Sequence, residues 1–312
     1  MQGASRIFVA GARGLVGSAV VRNLRNNGFT NLLLPTRQEL DLTHQEAVNR
    51  FFESERPEYV FLVAGKVGGI LANSTLPADF IRDNLMIQSN VIDAALRFNA
   101  TKLLDLGSSC IYPRQAPQPI TEDSLLSGPL EPTNEWYAIA KIAGLKMCQA
   151  YRRQHGFNAI CLMPTNLYGP GDNFDLEGSH VLPAMIRKFH EAKVARQSEV
   201  VLWGTGSPKR EFLHVEDLAE ACTYFMQHYE GEAILNVGVG VDVTIQELAQ
   251  LVKDVVEFPG TLRWDHSKPD GTPRKLLDVS RARELGWTAK IELRQGVMDT
   301  YRWFIEHRVS ER

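Results

Sequence analysis

Tyr137-Ala138-Ile139-Ala140-Lys141 sets a phenol and an ammonium four residues apart, which on a helix is one face. An ammonium beside a phenol favours the phenolate, and such a Tyr can exchange a proton with a carbonyl oxygen near neutral pH. Alone, the spacing fits a surface pair equally well. Two flanking stretches argue for a site. The apolar run Lys102–Leu106 ends in Gly107-Ser108-Ser109-Cys110, and the run Ala159–Met163 leads into Pro164-Thr165-Asn166-Leu167-Tyr168-Gly169-Pro170. Both read as loops at strand ends, and open α/β sheets bind ligands at the carboxyl ends of their strands.

A second constellation lies near the N-terminus. Arg6–Ala10 reads as a strand and is followed by Gly11-Ala12-Arg13-Gly14-Leu15-Val16-Gly17, a GxxGxxG string that opens a helix. Such glycines permit a tight turn, close approach of backbone to a pyrophosphate, and close helix–strand packing. An ordinary βα turn is the plain alternative, and the strand-then-helix context argues against it. About twenty residues on, where an acid would bond a ribose 2′-OH, the chain has Pro35-Thr36-Arg37. A guanidinium suits a 2′-phosphate, and Arg13 offers a second cation, so the expected cofactor is NADP(H) rather than NAD. A solvated surface charge is the other reading of Arg37. Asp41 and Leu42 are candidates for the adenine pocket.

These residues need a scaffold. Strands are expected at Arg6–Ala10, Asn31–Pro35, Tyr59–Val63, Lys102–Leu106 and Ala159–Met163, all with little polar alternation, as strands buried on both faces require. Helical patterns alternate with them at Leu15–Asn27, His44–Ser54, Pro77–Phe98 and Pro132–His155. The alternation predicts a doubly wound parallel α/β sheet of Rossmann type. Beyond residue 165 the rhythm loosens. Helices are expected at His180–Ala195, Val215–Tyr229, Thr244–Val256 and Leu293–Glu306, with short strands Val200–Trp203 and Ala233–Val237. The expectation is a nucleotide-binding domain over residues 1–165 and a smaller C-terminal α/β region over 166–312 that covers the carboxyl edge of the sheet, with the chain crossing back.

Composition excludes several classes. The chain has 312 residues, a formal net charge of -3, 44% hydrophobic and 23% charged residues. That balance argues against a nucleic-acid binder, and no run approaches the ~18–20 apolar residues of a membrane span. Four cysteines, at 110, 148, 161 and 222, form no CxxC pair, so no zinc ribbon or other metal site is expected. Met1-Gln2-Gly3-Ala4-Ser5 lacks the features of a signal peptide, and a reducing cytoplasm is the expected location. Cys148, Cys161 and Cys222 read as core residues.

The glycine turn, Ser108 at a strand end, the Tyr137/Lys141 pair and Arg210-Glu211-Phe212-Leu213-His214-Val215-Glu216-Asp217 together resemble the extended short-chain dehydrogenase/reductase family, over nearly the whole chain. That family joins a Rossmann domain to a small domain for nucleotide sugars, which implies that residues 166–312 are the substrate-binding region. Ala64-Gly65-Lys66-Val67-Gly68-Gly69-Ile70, Gly107-Ser108-Ser109-Cys110-Ile111-Tyr112-Pro113 and Leu276-Leu277-Asp278-Val279-Ser280 narrow the likeness to its members that act on GDP-4-keto-6-deoxy-D-mannose by 3,5-epimerisation and 4-reduction. Gly65 departs from the Ala more usual there.

The resemblance implies roles. Ser108 and Tyr137 would hold the C4 oxygen, and Lys141 would tune Tyr137 and bind the nicotinamide ribose. Cys110 and His180 would carry protons at C3 and C5, Cys110 as base and His180 as acid. For Cys110 the bland reading is a small buried hydrophobe, and for His180 an N-terminal helix residue. Leu106, Gly107, Pro164, Thr165, Asn166, Leu167 and His180 would line the cofactor. Lys188 and Arg210 would meet the diphosphate, Trp203 the sugar or base, and Asp278 the guanine or ribose. The alternatives are a solvated helix charge for Lys188, a core strand residue for Trp203 and a helix cap for Asp278. The resemblance also implies a homodimer through Pro77–Phe98 and Pro132–His155. A 4,6-dehydratase would carry an acid where Ser108-Ser109-Cys110 stands, and a 4-epimerase would favour an acid at Arg37. A dinucleotide-sensing regulator would lack the Tyr/Lys pair.

Overall fold

The computed structural model describes residues 1–176, 178–268 and 270–309. Its first half runs β1 (Ile7–Ala10), α1 (Leu15–Asn26), β2 (Leu32–Leu33), α2 (Gln45–Glu55), β3 (Tyr59–Leu62), α3 (Ile70–Thr75), α4 (Pro77–Arg97), β4 (Lys102–Leu106), α5 (Glu135–His155) and β5 (Ala159–Pro164). The second runs β6 (Asn166–Tyr168), α6 (Val181–Val194), β7 (Glu199–Trp203), β8 (Lys209–Arg210), β9 (Phe212–His214), α7 (Val215–His228) and β10 (Leu235–Val237). It ends with β11 (Val243–Thr244), α8 (Ile245–Val256), β12 (Thr261–Asp265), β13 (Arg274–Lys275), α9 (Ser280–Glu284) and α10 (Leu293–Phe304).

Six parallel strands form the central sheet in the order β10-β5-β4-β3-β1-β2. Alternate residues of each strand enter opposite cores. Ile7, Val9, Leu104, Leu106 and Leu162 pack with α1 and α7. Phe8, Val60, Leu62, Leu103 and Met163 pack with α2, α4 and α5. Both faces are covered, which explains why these strands lack polar alternation. The register pairs Ala10 with Leu62, Leu62 with Asp105 and Leu106 with Leu162. The glycine turn, the loop at 64–69, Gly107-Ser108 and the loop after β5 therefore leave the sheet along one edge.

Differences from the sequence reading are local. The strand expected at Asn31–Pro35 shortens to β2, which meets only β1 through two residue pairs. It is an edge strand, and Pro35 has no N–H to extend the ladder. The helix expected from Pro132 starts at Glu135, after a turn in which Thr133 N–H donates to Glu131 Oε1 at 3.4 Å.

The chain beyond residue 165 divides its elements between two places. β10 joins the central sheet beside β5, and α7 packs on α1. A third core takes Phe174 with Leu182, Ile186 and Phe189 of α6, Leu248 and Val252 of α8, and Val297 and Phe304 of α10. Beside it lie the parallel pair β7–β12 and the small sheet β11-β8-β13. α8 begins in a capping box between Thr244 and Glu247. Among the described residues no helix is long and apolar enough to cross a membrane.

Candidate active site

The turn after β1 is built for close backbone approach. Gly11 has φ +88°, and a Cβ there would lie 2.9 Å from Ala64 Cα. A Cβ on Gly17 would overlap the Gly11 carbonyl, so α1 can sit against the turn only with glycine at this place. Gly14 precedes α1 with no side-chain cap and no acid in the first turn. The helix thus presents its unpaired N–H groups and positive dipole end to any anion above it. Arg37 is 81% exposed, with its Nε 3.9 Å from Asp41. Bonds from Thr36 hold the Glu39 carboxyl below its usual range, and the charge of Arg13 adds to this. Arg13 and Arg37 therefore both border the turn at 36–39. Asp41 accepts from Thr43 N–H at 2.9 Å and Thr43 Oγ1 at 2.8 Å, while Asn90 Nδ2 donates to the Leu42 carbonyl at 2.9 Å.

Tyr137 and Lys141 lie on the inner face of α5, 8% and 3% exposed. Lys141 Nζ donates to the Leu106 carbonyl at 2.8 Å, which fixes the ammonium at the end of β4. Burial pushes the Tyr137 phenol well above its usual range, Cys110 adds to this, and a bond to the Ser108 hydroxyl opposes it. The lowering expected from Lys141 is not what the ligand-free geometry gives: the ammonium is committed to Leu106, and desolvation dominates the phenol. Burial pushes Lys141 itself down, opposed by the charges of Asp105 and Cys161. Asp105 is fully buried, its carboxyl raised to about 6, and neither oxygen has a hydrogen-bond partner. Asn84 bonds both the N–H and the carbonyl of Lys66, at 2.9 and 3.0 Å, pinning the loop after β3. On the far side, Asn166 Nδ2 and Thr165 Oγ1 donate to the Glu211 carbonyl, at 2.8 and 3.3 Å.

Cys110 follows Ser108 in a short turn in which the Cys110 N–H donates to Ser108 Oγ at 3.2 Å. Its sulfur accepts from Asn134 Nδ2 at 3.2 Å and from Lys275 Nζ at 3.5 Å. His180 caps the start of α6 without a side-chain cap bond. His180 is solvent-exposed at its edge, with protein packed around the rest of it. That surrounding pushes its pKa down, and the charge of Lys275 adds to the effect.

A second cluster sits on the small sheets. Trp203 is 67% exposed, with Lys188 Nζ 5.7 Å and Lys268 Nζ 5.5 Å from its ring centroid, both within cation–π range. Asp270 accepts from Thr205 N–H at 2.9 Å and Thr205 Oγ1 at 2.7 Å, just past Trp203. Arg210 is half-buried, and a Cβ on Gly271 would lie 3.1 Å from its Nη2. Burial pushes the guanidinium down, with Glu131 opposing. Asp278 is not in this cluster. Its Oδ1 accepts from Ser280 N–H at 2.9 Å and its carbonyl from Asn236 Nδ2 at 3.0 Å, which makes it the turn residue before α9. Asp270 is thus fixed by Thr205 in the loop after Trp203, and Glu131 is the acid whose charge reaches Arg210.

Residues 7–238 match the model of the NAD dependent epimerase/dehydratase family. The chain belongs to this family. It is 63% identical over 303 residues to a GDP-L-fucose synthase of Arabidopsis thaliana, covering 97% of this chain and 94% of that one. Among solved structures it resembles a GDP-6-OMe-4-keto-L-xylo-heptose reductase from Campylobacter jejuni, with TM-score 0.95, 41% identity and 99% of each chain covered. It also resembles a GDP-L-fucose synthetase from Naegleria fowleri bound to NADP, with TM-score 0.91, 28% identity and 99% and 97% covered.

In this epimerase/dehydratase-family chain the fold brings Ser108, Cys110, Tyr137 and Lys141 together and sets His180 near them through Lys275. Sequence reasoning missed Asn134, Lys275, Lys268 and Asp270. Asn134 had a signal, three residues before Tyr137 on the entry turn of α5. Lys275 had none, because only the pairing of β13 with β8 brings it beside Arg210.

Proposed function

We propose that this protein converts GDP-4-keto-6-deoxy-D-mannose to GDP-L-fucose, by epimerisation at C3 and C5 followed by NADPH-dependent reduction at C4. The observation that carries the reading is the Cys110 sulfur, held by Asn134 and Lys275 two residues past Ser108 and close enough to act on Tyr137. A simple ketone reduction needs no such group. The 63% identity to a GDP-L-fucose synthase supports the substrate.

The glycine cradle fits a dinucleotide pyrophosphate, and Arg13 and Arg37 fit a 2′-phosphate at its rim. Ala12, Leu15 and Val16, with Leu106, Gly107, Pro164 and Leu167, would complete the cofactor's walls. Bound NADPH supplies the hydride that reduces C4. Ser108 and Tyr137 donate to the C4 oxygen, where charge develops both in the enolate and after hydride addition, and donors placed there are often the largest catalytic term. A phenol held high stays protonated at neutral pH. It therefore suits Tyr137 to give its proton to the C4 alkoxide. Lys141, anchored on Leu106, presents its remaining N–H groups to the nicotinamide ribose and supplies positive charge as the phenolate forms. Cys110 removes a proton from the carbon next to the ketone, and His180 returns one on the opposite face. Arg210 and Lys188 bind the diphosphate, Trp203 packs on the sugar or base, and Asp278 bonds the guanine or ribose.

The likeness to a GDP-heptose reductase favours a second reading, reduction without epimerisation. One experiment separates the two: NADPH absorbance with GDP-4-keto-6-deoxy-D-mannose, then identification of the sugar. NADPH consumption with GDP-L-fucose as product supports both halves. Consumption with unchanged configuration at C3 and C5 supports a reductase alone, and no consumption beside an active control overturns the proposal. A homodimer through α4 and α5, which carry the exposed Met86 and Trp136, belongs to the same reading. Light scattering of the purified protein tests it.

A further inference from the structure

β13 pairs in parallel with β8, so that Lys275 lies directly opposite Arg210. One short strand thus joins the cation proposed for the diphosphate to the sulfur proposed for the sugar carbons. Lys275 Nζ is 3.5 Å from Cys110 Sγ. Its charge is also felt by His180 at the start of α6. No carboxylate forms an ion pair with Lys275 among the described residues, whereas Lys66 is held by Asp79 and Asp83 at 3.0 and 3.1 Å. The ammonium is available to the two proton carriers.

We propose that Lys275 is a positioning residue for epimerisation: with Asn134 it holds the Cys110 sulfur in place and sets a positive charge beside the thiolate that removes the proton. The proposal rests on the epimerase reading above. Each proton step balances. The thiolate takes a proton from C3 or C5 and becomes a thiol, and the C–H electron pair moves to the C4 oxygen as an enolate. The enolate carbon then takes a proton from the protonated imidazole of His180 and the ketone re-forms. The thiol and the imidazole return to their starting states by proton exchange with water. The groups facing the sulfur are the Asn134 amide, the Lys275 ammonium and the Tyr137 phenol, and those acting on His180 are Lys275 and the protein around its ring. A positive charge between the two carriers favours the anion on sulfur and disfavours the cation on imidazole.

The test uses full-length Lys275→Met and Lys275→Arg. Epimerisation is read without NADPH, as deuterium washed into GDP-4-keto-6-deoxy-D-mannose from D2O. Reduction is read as NADPH oxidation with the 3,5-epimerised keto sugar. In Lys275→Met, exchange should fall at least ~10-fold more than reduction, and both limbs of its pH profile should move to higher pH. Lys275→Arg should restore the position of the profile. As a second readout, iodoacetamide should label Cys110 several-fold more slowly at neutral pH in Lys275→Met, the other three cysteines being buried. A raised KM for both substrates with an unmoved exchange profile would make Lys275 a diphosphate ligand and overturn the proposal, as would unchanged labelling. Wild-type protein that oxidises NADPH but washes in no deuterium would instead overturn the epimerase reading itself.

Discussion

The two halves of the site are built in opposite ways. Ser108 stands just past the end of β4, and Tyr137 and Lys141 stand buried on α5, each polar group fixed by a named bond. Trp203, Lys188, Lys268, Asp270 and Arg210 stand on two- to five-residue strands, their connecting loops and one helix flank, several of them open to solvent. The first half must hold donors against one oxygen, where a misplacement of about 1 Å can cost about 100-fold in rate. In the proposed reaction the second half grips a charged, flexible nucleotide, for which long cationic side chains and an exposed ring suffice. Rigidity is spent where bonds change, and reach where binding alone is required.

Substitutions can break this contrast at either end. Tyr137→Phe should have the largest effect, lowering NADPH oxidation by about 10²–10⁴-fold with little change in KM, as removal of a transition-state donor does. Cys110→Ser should lower deuterium wash-in by about 100-fold or more while reduction of the epimerised keto sugar falls far less. Equal losses would merge the two proton-transfer sets into one. On the second side, Arg210→Ala should raise KM by roughly 10- to 100-fold at nearly unchanged kcat, the loss of one or two charge-assisted bonds. Arg37→Ala should raise the KM for NADPH by about 10-fold and leave NADH unaffected, which separates a 2′-phosphate ligand from a surface charge.

A fifth prediction concerns stability. Asp105 has a folded-state carboxyl near 6 against an ordinary value of 3.8, so between those values the folded protein binds more protons than the unfolded chain. Stability should therefore fall as pH rises through that window, and the cost is fully present above pH 6. Asp105→Asn should remove that slope and raise the unfolding free energy at pH 7 by up to about 3 kcal/mol, read by denaturant titration at pH 4 and pH 7.

The same contrast explains what the sequence disclosed. The Tyr137/Lys141 spacing, the glycine turn and the apolar strands are periodic features within single elements, so local pattern suffices to read them. The carboxyl-edge alignment follows from parallel pairing and was legible as well. Lys275, Lys268 and Asp270 come from segments whose placement depends on β13 pairing with β8 and β12 with β7, pairings of two to five residues with no periodic signal. The Tyr137 environment was also illegible: a helix spacing gives the Lys141 direction but not the Leu106 carbonyl that claims its ammonium.

The return of α7 and β10 to the first sheet has a practical consequence. A fragment ending near residue 165 would leave β5 as a bare edge strand and uncover the face of α1 that α7 protects. Unpaired N–H and C=O groups beside exposed Val20, Val21 and Leu24 are a template for intermolecular pairing. The nucleotide-binding half should thus aggregate when expressed alone, and limited proteolysis in the loops of the smaller region should release no separately soluble piece.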